Sequence, residues 1–239
     1  MSQFDVPDRL RSFSSSLARL PIAHLGQRYY TSGTFLRECG NTVVCHLVET
    51  SESASAIHAV RARFQAMPGA DKLAFTAVSS LHMTLFQGII ETQRALPYWP
   101  ADVSLEAPVD DMTAIFMDRL ARFTPGEAFA IEVTHATPNG LTLDGVTARD
   151  RQVLKDWRRR LADLLGYRHP DHDAYVFHMT FAYMVERFDD ETMAAWVPFL
   201  KDVVEDIRQR SPIIRLRAPA FCAFDDMNHF EELISFEPR

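Results

Sequence analysis

The sequence predicts an α+β fold in which two antiparallel sheets, backed by helices, form two pseudo-symmetric lobes around a cleft. Strand and helix patterns alternate along the chain, and the order strand, helix, strand occurs twice. The last strand of each of these two units also carries the same three letters, His-Met-Thr. The chain has 239 residues, of which 47% are hydrophobic and 24% charged. This composition is typical of a folded globular chain and excludes disorder.

The first half opens with an extension over 1–40, which mixes Ser, Arg, Pro and aromatic residues without a sustained period and holds one short helix around 8–17. Pro68-Gly69 ends a predicted helix, and the Pro-rich segment 95–108 is predicted as a loop. Apolar periodicity and β-branched content place the elements of this half as strand 42–50, helix 56–67, strands 73–78 and 81–90, and helix 111–122.

The second half repeats this plan around a turn at 138–140. Its predicted elements are strands 129–136 and 141–143, a helix from Thr147 to about Gly166, strand 175–185, helix 190–210, and closing strands 213–217, 221–225 and 230–236. We therefore divide the chain into the extension 1–40 and a single domain over 41–239. The domain comprises lobe one at about 41–94, lobe two at about 129–185, and a closing helix and strands at 190–236.

Charge and cysteine content restrict the environment and the partners. A net charge of −7 opposes binding to a DNA duplex or an anionic membrane surface, so an anionic partner must be small or held by a local positive patch. No run approaches the roughly 18 apolar residues that a membrane span needs, and the first residues lack a signal-peptide core. Three cysteines are too few for a disulfide framework and indicate a reducing compartment. We expect a cytoplasmic monomer.

Two His-Met-Thr triplets, at 82–84 and 178–180, are the candidate catalytic residues. Side chains alternate across a strand, so His82 and Thr84 project on one face, as His178 and Thr180 do. We predict that these four side chains face the cleft. Their apolar neighbours then face the helices; they are Leu81, Met83, Leu85, Phe177, Met179 and Phe181.

A third triplet, His135-Ala136-Thr137, serves as an internal control. Chance alone gives about 0.6 His-x-Thr triplets in a chain of this composition, so the letters by themselves carry little weight. His135 continues the parity of the apolar residues Ile131 and Val133, and is therefore predicted to lie away from the cleft. Only the other two copies share the context apolar-His-Met-Thr-apolar at equivalent places in the repeated unit.

The paired triplets resemble the signature of the two-histidine (2H) phosphoesterase superfamily, which comprises cyclic phosphodiesterases and RNA 2′-5′ ligase-like proteins. The likeness covers about 41–236, leaves the extension and the 95–108 loop outside, and is closest to a poorly characterised branch. It implies that His82 and Thr84 form the first motif and His178 and Thr180 the second. It also implies a metal-independent enzyme without a cofactor, whose partner is a small cyclic phosphodiester, a nucleotide or an RNA end.

The chemistry of the residues agrees with this resemblance. Opening a cyclic phosphodiester needs a base for the attacking water and an acid for the departing alkoxide, and histidine can serve as either near neutral pH. The threonine hydroxyls would donate hydrogen bonds to the charged phosphate oxygens. The resemblance favours His178 as the base and His82 as the acid, while the residues themselves leave the two roles open.

Four further residues are candidates for substrate binding, each with a structural alternative. His46 lines the cleft if its strand joins the first sheet, or is a satisfied structural histidine. Phe86 shares the face of His82 and stacks on a base, or only packs. Arg215 and Arg217 alternate with the apolar Ile214 and Leu216. The two arginines either bind phosphate or are solvated charges at the edge of a sheet.

The segment 169–173, His-Pro-Asp-His-Asp, is the one cluster with metal-ligand chemistry. It has no third His or Cys at ligand spacing and no His-Glu-x-x-His motif, so we predict no metal. Two alternatives to a 2H hydrolase remain: a module that binds a phosphorylated ligand or RNA end without turnover, and a metallohydrolase built on this loop.

Overall fold

The computed structural model describes residues 6–237, which form four α-helices, four short 3₁₀ helices and nine strands. The predicted α+β class is confirmed. The helices are α1 Glu52–Gln65, α2 Val109–Leu120, α3 Ala148–Leu165 and α4 Asp190–Arg210. The strands are β1 Gly40–His46, β2 Leu73–Phe75, β3 His82–Phe86, β4 Ile131–Thr137, β5 Gly140–Gly145, β6 Phe177–Thr180, β7 Ala182–Met184, β8 Ala220–Asp226 and β9 His229–Ser235. Within the described range, no helix is both long and apolar enough to cross a membrane.

The strands form two main antiparallel sheets whose edges meet at the triplets. The first sheet has the order β3-β1-β8-β9 and the second has the order β4-β5-β6. The strands that carry the triplets, β3 and β6, are therefore edge strands, and they lie side by side. Because no ladder joins these two edges, a cleft forms between the sheets with one triplet on each side.

The predicted strand over 175–185 is two strands that belong to different sheets. The second triplet ends β6, and the chain then turns at Phe181, whose ring is fully buried at 5.2 Å from the ring of Phe64. Beyond this anchor, β7 pairs with β2, so that Met184 lies opposite Leu73. This small ribbon joins the two halves of the molecule beside the cleft.

The segment 213–217, predicted as a strand, forms only isolated bridges in the described structure. Ile214 pairs with Ile131 of β4, whereas Leu216 pairs with Leu47 just after β1. The segment therefore crosses from one main sheet to the other, and no single strand lies beside it for long enough to form a ladder. The other two predicted closing strands, 221–225 and 230–236, are present as β8 and β9, and they extend the first sheet.

Helix α3 begins and ends where the sequence places its capping residues, whereas α1 begins at Glu52, before the predicted start at 56. Thr147 and Asp150 form a capping box at the start of α3, and Gly166 adopts a left-handed conformation at its end. Ser51 caps α1 by accepting from the backbone N–H of Ala54. The apolar stripe of α3, which includes the fully buried Trp157, packs into the main core.

The N-terminal extension packs on the domain. Leu10 and Phe13 are buried and belong to the main core. The Tyr29 hydroxyl donates to the carbonyl oxygen of Met184 at 2.8 Å, and the Ser15 N–H donates to the carbonyl oxygen of Phe188 at 2.8 Å. These contacts fix the extension against β7 and the segment that follows it, next to the second triplet.

A β-bulge in β4 turns His135 away from the apolar face of the strand, on which its parity with Ile131 and Val133 had placed it. The β4–β5 register shifts between Val133 and His135, so Ala136 is buried and His135 is exposed. His135 pairs with Thr142, which in turn pairs with His178 on β6. His135 thus shares a sheet face with His178, roughly 10 Å away by strand spacing, and lines neither of the two cavities described below.

Gly140 is expected to be essential for the placement of β6. Its φ is +139°, and a Cβ there would overlap the carbonyl oxygen of Met179, which lies between His178 and Thr180. We expect Gly140→Ala to lower the free energy of unfolding by more than about 1 kcal/mol, measured by denaturant titration. Gly26→Ala is the matched control, because Gly26 also has a positive φ but open space around its Cβ position. An equal loss in both variants would contradict the steric account.

Candidate active site

A cavity of about 430 Å³ opens between the edges of the two main sheets, and both triplets line it. The structure thereby brings together the four side chains that strand parity predicted to face a cleft: His82, Thr84, His178 and Thr180. The intervening Met83 and Met179 are fully buried on the opposite faces of their strands. The alternation of side chains along β3 and β6 is therefore as expected from the sequence.

Each histidine of the pair is held by the carbonyl oxygen of the residue two positions earlier. Nδ1 of His82 lies 2.6 Å from the oxygen of Ser80, and Nδ1 of His178 lies 3.0 Å from the oxygen of Val176. A carbonyl oxygen can only accept, so Nδ1 carries the proton in both rings. This leaves both Nε2 atoms available for proton transfer in the cavity.

His82 is electrostatically unusual. Burial lowers the pKa of His82 to about 3, the carbonyl oxygen of Ser80 opposes the shift, and the nearby His46 and His178 add to it. The ring also packs edge-on against Phe230, with centroids 4.3 Å apart. His82 is consequently a neutral imidazole at neutral pH, with the lone pair of Nε2 able to accept a proton.

Two tyrosines that sequence reasoning missed complete the cavity wall, and each accompanies one threonine. Tyr175 and Tyr183 line the cavity together with Thr84 and Thr180, and each threonine opposes the rise that burial causes in the pKa of one tyrosine, Thr84 for Tyr175 and Thr180 for Tyr183. Burial raises the pKa of both tyrosines, so both phenols stay protonated and can donate hydrogen bonds. They lie three residues before the second histidine and three after its threonine, an odd spacing that along a single strand would put them on the opposite face.

Arg158 is a further residue that the sequence misplaces. Helical periodicity puts it on the polar face of α3, yet it is only 3% exposed. Its guanidinium carbon lies 4.0 Å from the ring centroid of Tyr175, and Nη1 donates to the carbonyl oxygen of Leu85 at 2.7 Å. Arg158 thus contacts both β3, the strand of the first triplet, and the cavity residue Tyr175.

His46, a predicted cleft residue, lies behind His82. Its ring centroid is 5.8 Å from that of His82, and its Nε2 is 3.9 Å from Oε1 of Glu232. Burial lowers the pKa of His46, while Glu232 opposes this shift. His46 does not line the cavity, so its contact with a substrate would pass through His82.

The structure corrects the predicted role of Phe86. Although Phe86 shares the strand parity of His82, it is 2% exposed and does not line the cavity. Its ring packs edge-on against Tyr167 at 5.6 Å and against His172 at 6.1 Å between centroids. The loop after α3 covers this end of β3, which makes Phe86 a core residue that cannot stack on a base.

Arg215 and Arg217 are likewise corrected, since both are exposed and neither lines the cavity. Nη1 of Arg217 lies 2.7 Å from Oε1 of Glu232, so its charge is already paired on the surface. The segment that carries these two residues bridges the main sheets on the outside of the cleft. They are solvated edge charges and not phosphate ligands.

The 169–173 loop is divided between the cavity and the core. His169 and Asp171 line the cavity, whereas His172 is buried beneath Phe86. In residues 6–237, no group of three or more His, Cys, Asp or Glu side chains is arranged to hold a metal ion. The 95–108 loop contributes Tyr98, whose ring packs at 5.0 Å from that of His169.

Residues 28–142 match the family model 2H-phosphodiest, described as a domain of unknown function (DUF1868). The chain belongs to this 2H phosphoesterase family. The matched segment contains the first triplet, and the second triplet follows beyond its end. The description of the family assigns no substrate.

A solved structure extends the likeness to nearly the whole chain. The crystal structure of the conserved protein of unknown function ATU0111 from Agrobacterium tumefaciens strain C58 is 49% identical in sequence, with a TM-score of 0.95. The match covers 97% of this chain and 100% of that one, including the N-terminal extension almost completely. No curated protein matches the sequence.

Proposed function

We propose that this protein is a metal-independent hydrolase that opens a 2′,3′-cyclic phosphate, or a similar small cyclic phosphodiester, on a nucleotide or RNA end. The observation that carries the proposal is the equivalence of the two triplets on facing edge strands. Each offers one carbonyl-held imidazole and one threonine to the same 430 Å³ cavity. Membership of the 2H phosphoesterase family supports phosphoester chemistry.

In this mechanism the phosphate binds between the two imidazoles. Neutral His82 takes a proton from a water molecule through Nε2 while the water oxygen forms a bond to phosphorus. The ring P–O bond breaks on the opposite side, and protonated His178 gives its Nε2 proton to the departing oxygen. The product is a phosphomonoester, and one proton has moved in net terms from His178 to His82, to be returned through solvent.

This assignment reverses the roles that the family resemblance favoured. The reason is the burial of His82, which lowers its pKa and favours the neutral ring that a base requires. His178, the more exposed of the two, then serves as the acid. Hydroxyl donors surround the phosphate position, namely Thr84, Thr180, Tyr175 and Tyr183, and would stabilise the charge on the non-bridging oxygens.

The proposal is tested by incubating the protein with a panel of cyclic phosphodiesters, with and without chelator, and separating the products. We expect turnover of at least one 2′,3′-cyclic phosphate at the same rate under both conditions. Turnover lost to chelator and restored by zinc or manganese would indicate a metallohydrolase. Saturable binding without product would instead indicate a binding module.

Loss of a threonine hydroxyl is expected to slow turnover without abolishing it. Thr84→Ala and Thr180→Ala should each lower kcat about 10²-fold, because each removes one donor to the developing charge. Steady-state kinetics would measure the effect, with the exposed Thr31→Ala as a control outside the cavity. Unchanged kcat in both triplet variants would show that the hydroxyls do not contact the reacting phosphate.

A further inference from the structure

A second, larger cavity of about 900 Å³ opens beside His178, and the N-terminal extension forms one of its walls. The opposite wall is formed by the second main sheet, including Gly140 and Thr142 of its central strand β5. The two cavities adjoin each other, because five residues line both of them: His24, Arg28, His178, Thr180 and Tyr183. Whatever occupies the larger cavity can therefore be part of a molecule bound at the triplets.

The lining of this second cavity is strongly basic. Four arginines contribute to it, and among the described residues no Asp or Glu does. This composition contrasts with the net charge of −7 of the whole chain. A local excess of guanidinium groups in an acidic protein raises the concentration of anions at that place, and arginine matches phosphate geometry.

The four arginines differ in how far their charge is already compensated. Nε of Arg28 lies 2.6 Å from Oε2 of the buried Glu38. Nη1 of Arg11 lies 3.7 Å from Oδ1 of Asp8, and the side chains of Arg11 and Asp8 are both exposed. Within residues 6–237, Arg19 and Arg187 have no carboxylate within ion-pair distance. Arg187 donates to the carbonyl oxygens of Ser12 and Leu20, and so binds the extension to the segment that follows β7.

The backbone of the extension is strained where the two cavities meet. His24 has a φ of +64°, and its carbonyl oxygen accepts from the N–H groups of Gln27 and Arg28 at 3.0 and 2.8 Å. A left-handed conformation is costly for a residue other than glycine and is concentrated at functional sites. Here the turn places the His24 side chain at the junction and the Arg28 side chain beside Tyr183, with 3.5 Å between Nη1 and the phenol oxygen.

We propose that Arg11, Arg19, Arg187 and His24 form a second anion subsite, which binds a phosphate group covalently linked to the one that reacts between the triplets. The inference rests on the proposed function for the identity of the first phosphate. The shared chemistry is a second phosphate on the same substrate. Two sources can supply it: a 5′-phosphate on the same nucleoside, or the preceding phosphodiester of a short RNA strand.

Kinetics with three substrates would test the subsite. They are a nucleoside 2′,3′-cyclic phosphate, the same compound with a 5′-phosphate, and a trinucleotide that ends in a 2′,3′-cyclic phosphate. We expect kcat/KM to be about ten-fold higher for one or both of the substrates with a second phosphate, and the preference to shrink at high salt. The substrate that gains identifies the source of the phosphate.

The arginine variants make the test specific to the cavity. In Arg11→Ala/Arg19→Ala the ratio of kcat/KM values, with and without the second phosphate, should fall to near one. Arg9→Ala removes an exposed cation from the same extension outside the cavity, and should leave the ratio as in the wild type. Equal kcat/KM for all three wild-type substrates, or a ratio unchanged in the double variant, would overturn the inference.

A binding measurement separates failure of this inference from failure of the proposed function. The probe is a trinucleotide with a 3′-phosphate, titrated into the wild type and Arg11→Ala/Arg19→Ala and compared with a nucleoside 3′-monophosphate. Tighter wild-type binding of the trinucleotide that depends on the two arginines would support the subsite even without turnover. Turnover of all cyclic phosphates without any such preference would sustain the proposed function and refute the subsite.

Discussion

Replacing either His82 or His178 by alanine is expected to lower kcat/KM for the preferred cyclic phosphodiester by about 10²–10⁴-fold, the range of general acid–base catalysis. Both imidazoles act on one displacement, in which one removes a proton and the other supplies one. The double variant should therefore lose little more than the worse single variant, because groups that act as a unit are not additive. Steady-state kinetics on the three variants would measure these losses.

His135→Ala is the matched control for this experiment. His135 carries the same triplet letters and shares a sheet face with His178, but it is exposed and lies outside both cavities. Its removal should leave kcat/KM unchanged, and thermal unfolding should verify that all variants are folded. Full activity in His82→Ala or His178→Ala, or a loss in His135→Ala alone, would contradict the assignment of the site.

The second large effect that we expect is on the pH dependence of kcat/KM. Burial lowers the pKa of His82 from an ordinary value near 6.5 to about 3, so protonation of the base begins only well below pH 6.5. We expect kcat/KM to persist into mildly acidic solution, because the lone pair on Nε2 of His82 stays free to accept a proton there. A profile that instead declines below about pH 6.5 would indicate an ordinary histidine as the base.

A pH profile alone cannot tell which histidine is the acid, because the opposite pair of protonation states gives the same shape. An activated substrate separates them. A phosphodiester with a p-nitrophenol leaving group needs no proton donor, so His178→Ala should recover most of its lost kcat on it while His82→Ala should not. Recovery in His82→Ala and not in His178→Ala would restore the roles that the family resemblance favoured.

The sequence predicts the site as far as local rules determine it. The period of two along a strand suffices to place the polar and apolar sides of both triplets, because each triplet lies within one regular strand. Capping residues likewise indicate where α3 begins and ends, since a cap acts over three or four residues. The equivalence of the two triplets is visible in the sequence because both have the context apolar-His-Met-Thr-apolar at equivalent places in the repeated unit.

The remaining features depend on contacts between distant parts of the chain. The bulge before His135 and the cover over Phe86 each change the exposure of a residue without any change in its own sequence context. Tyr183 joins the cavity because β7 pairs with β2 from the other half. The extension has no periodic pattern, and its part in the second cavity follows only from how it packs against lobe two.

The most direct test of the central claim is hydrolysis of a 2′,3′-cyclic nucleotide in ¹⁸O-labelled water with chelator present, followed by phosphorus NMR and mass spectrometry. We expect the wild type to convert the cyclic phosphate into a phosphomonoester containing one ¹⁸O atom, and the reaction with His82→Ala/His178→Ala to proceed no faster than the uncatalysed reaction. A wild-type protein that leaves every cyclic phosphate intact, or a double variant that matches the wild-type rate, would contradict that claim.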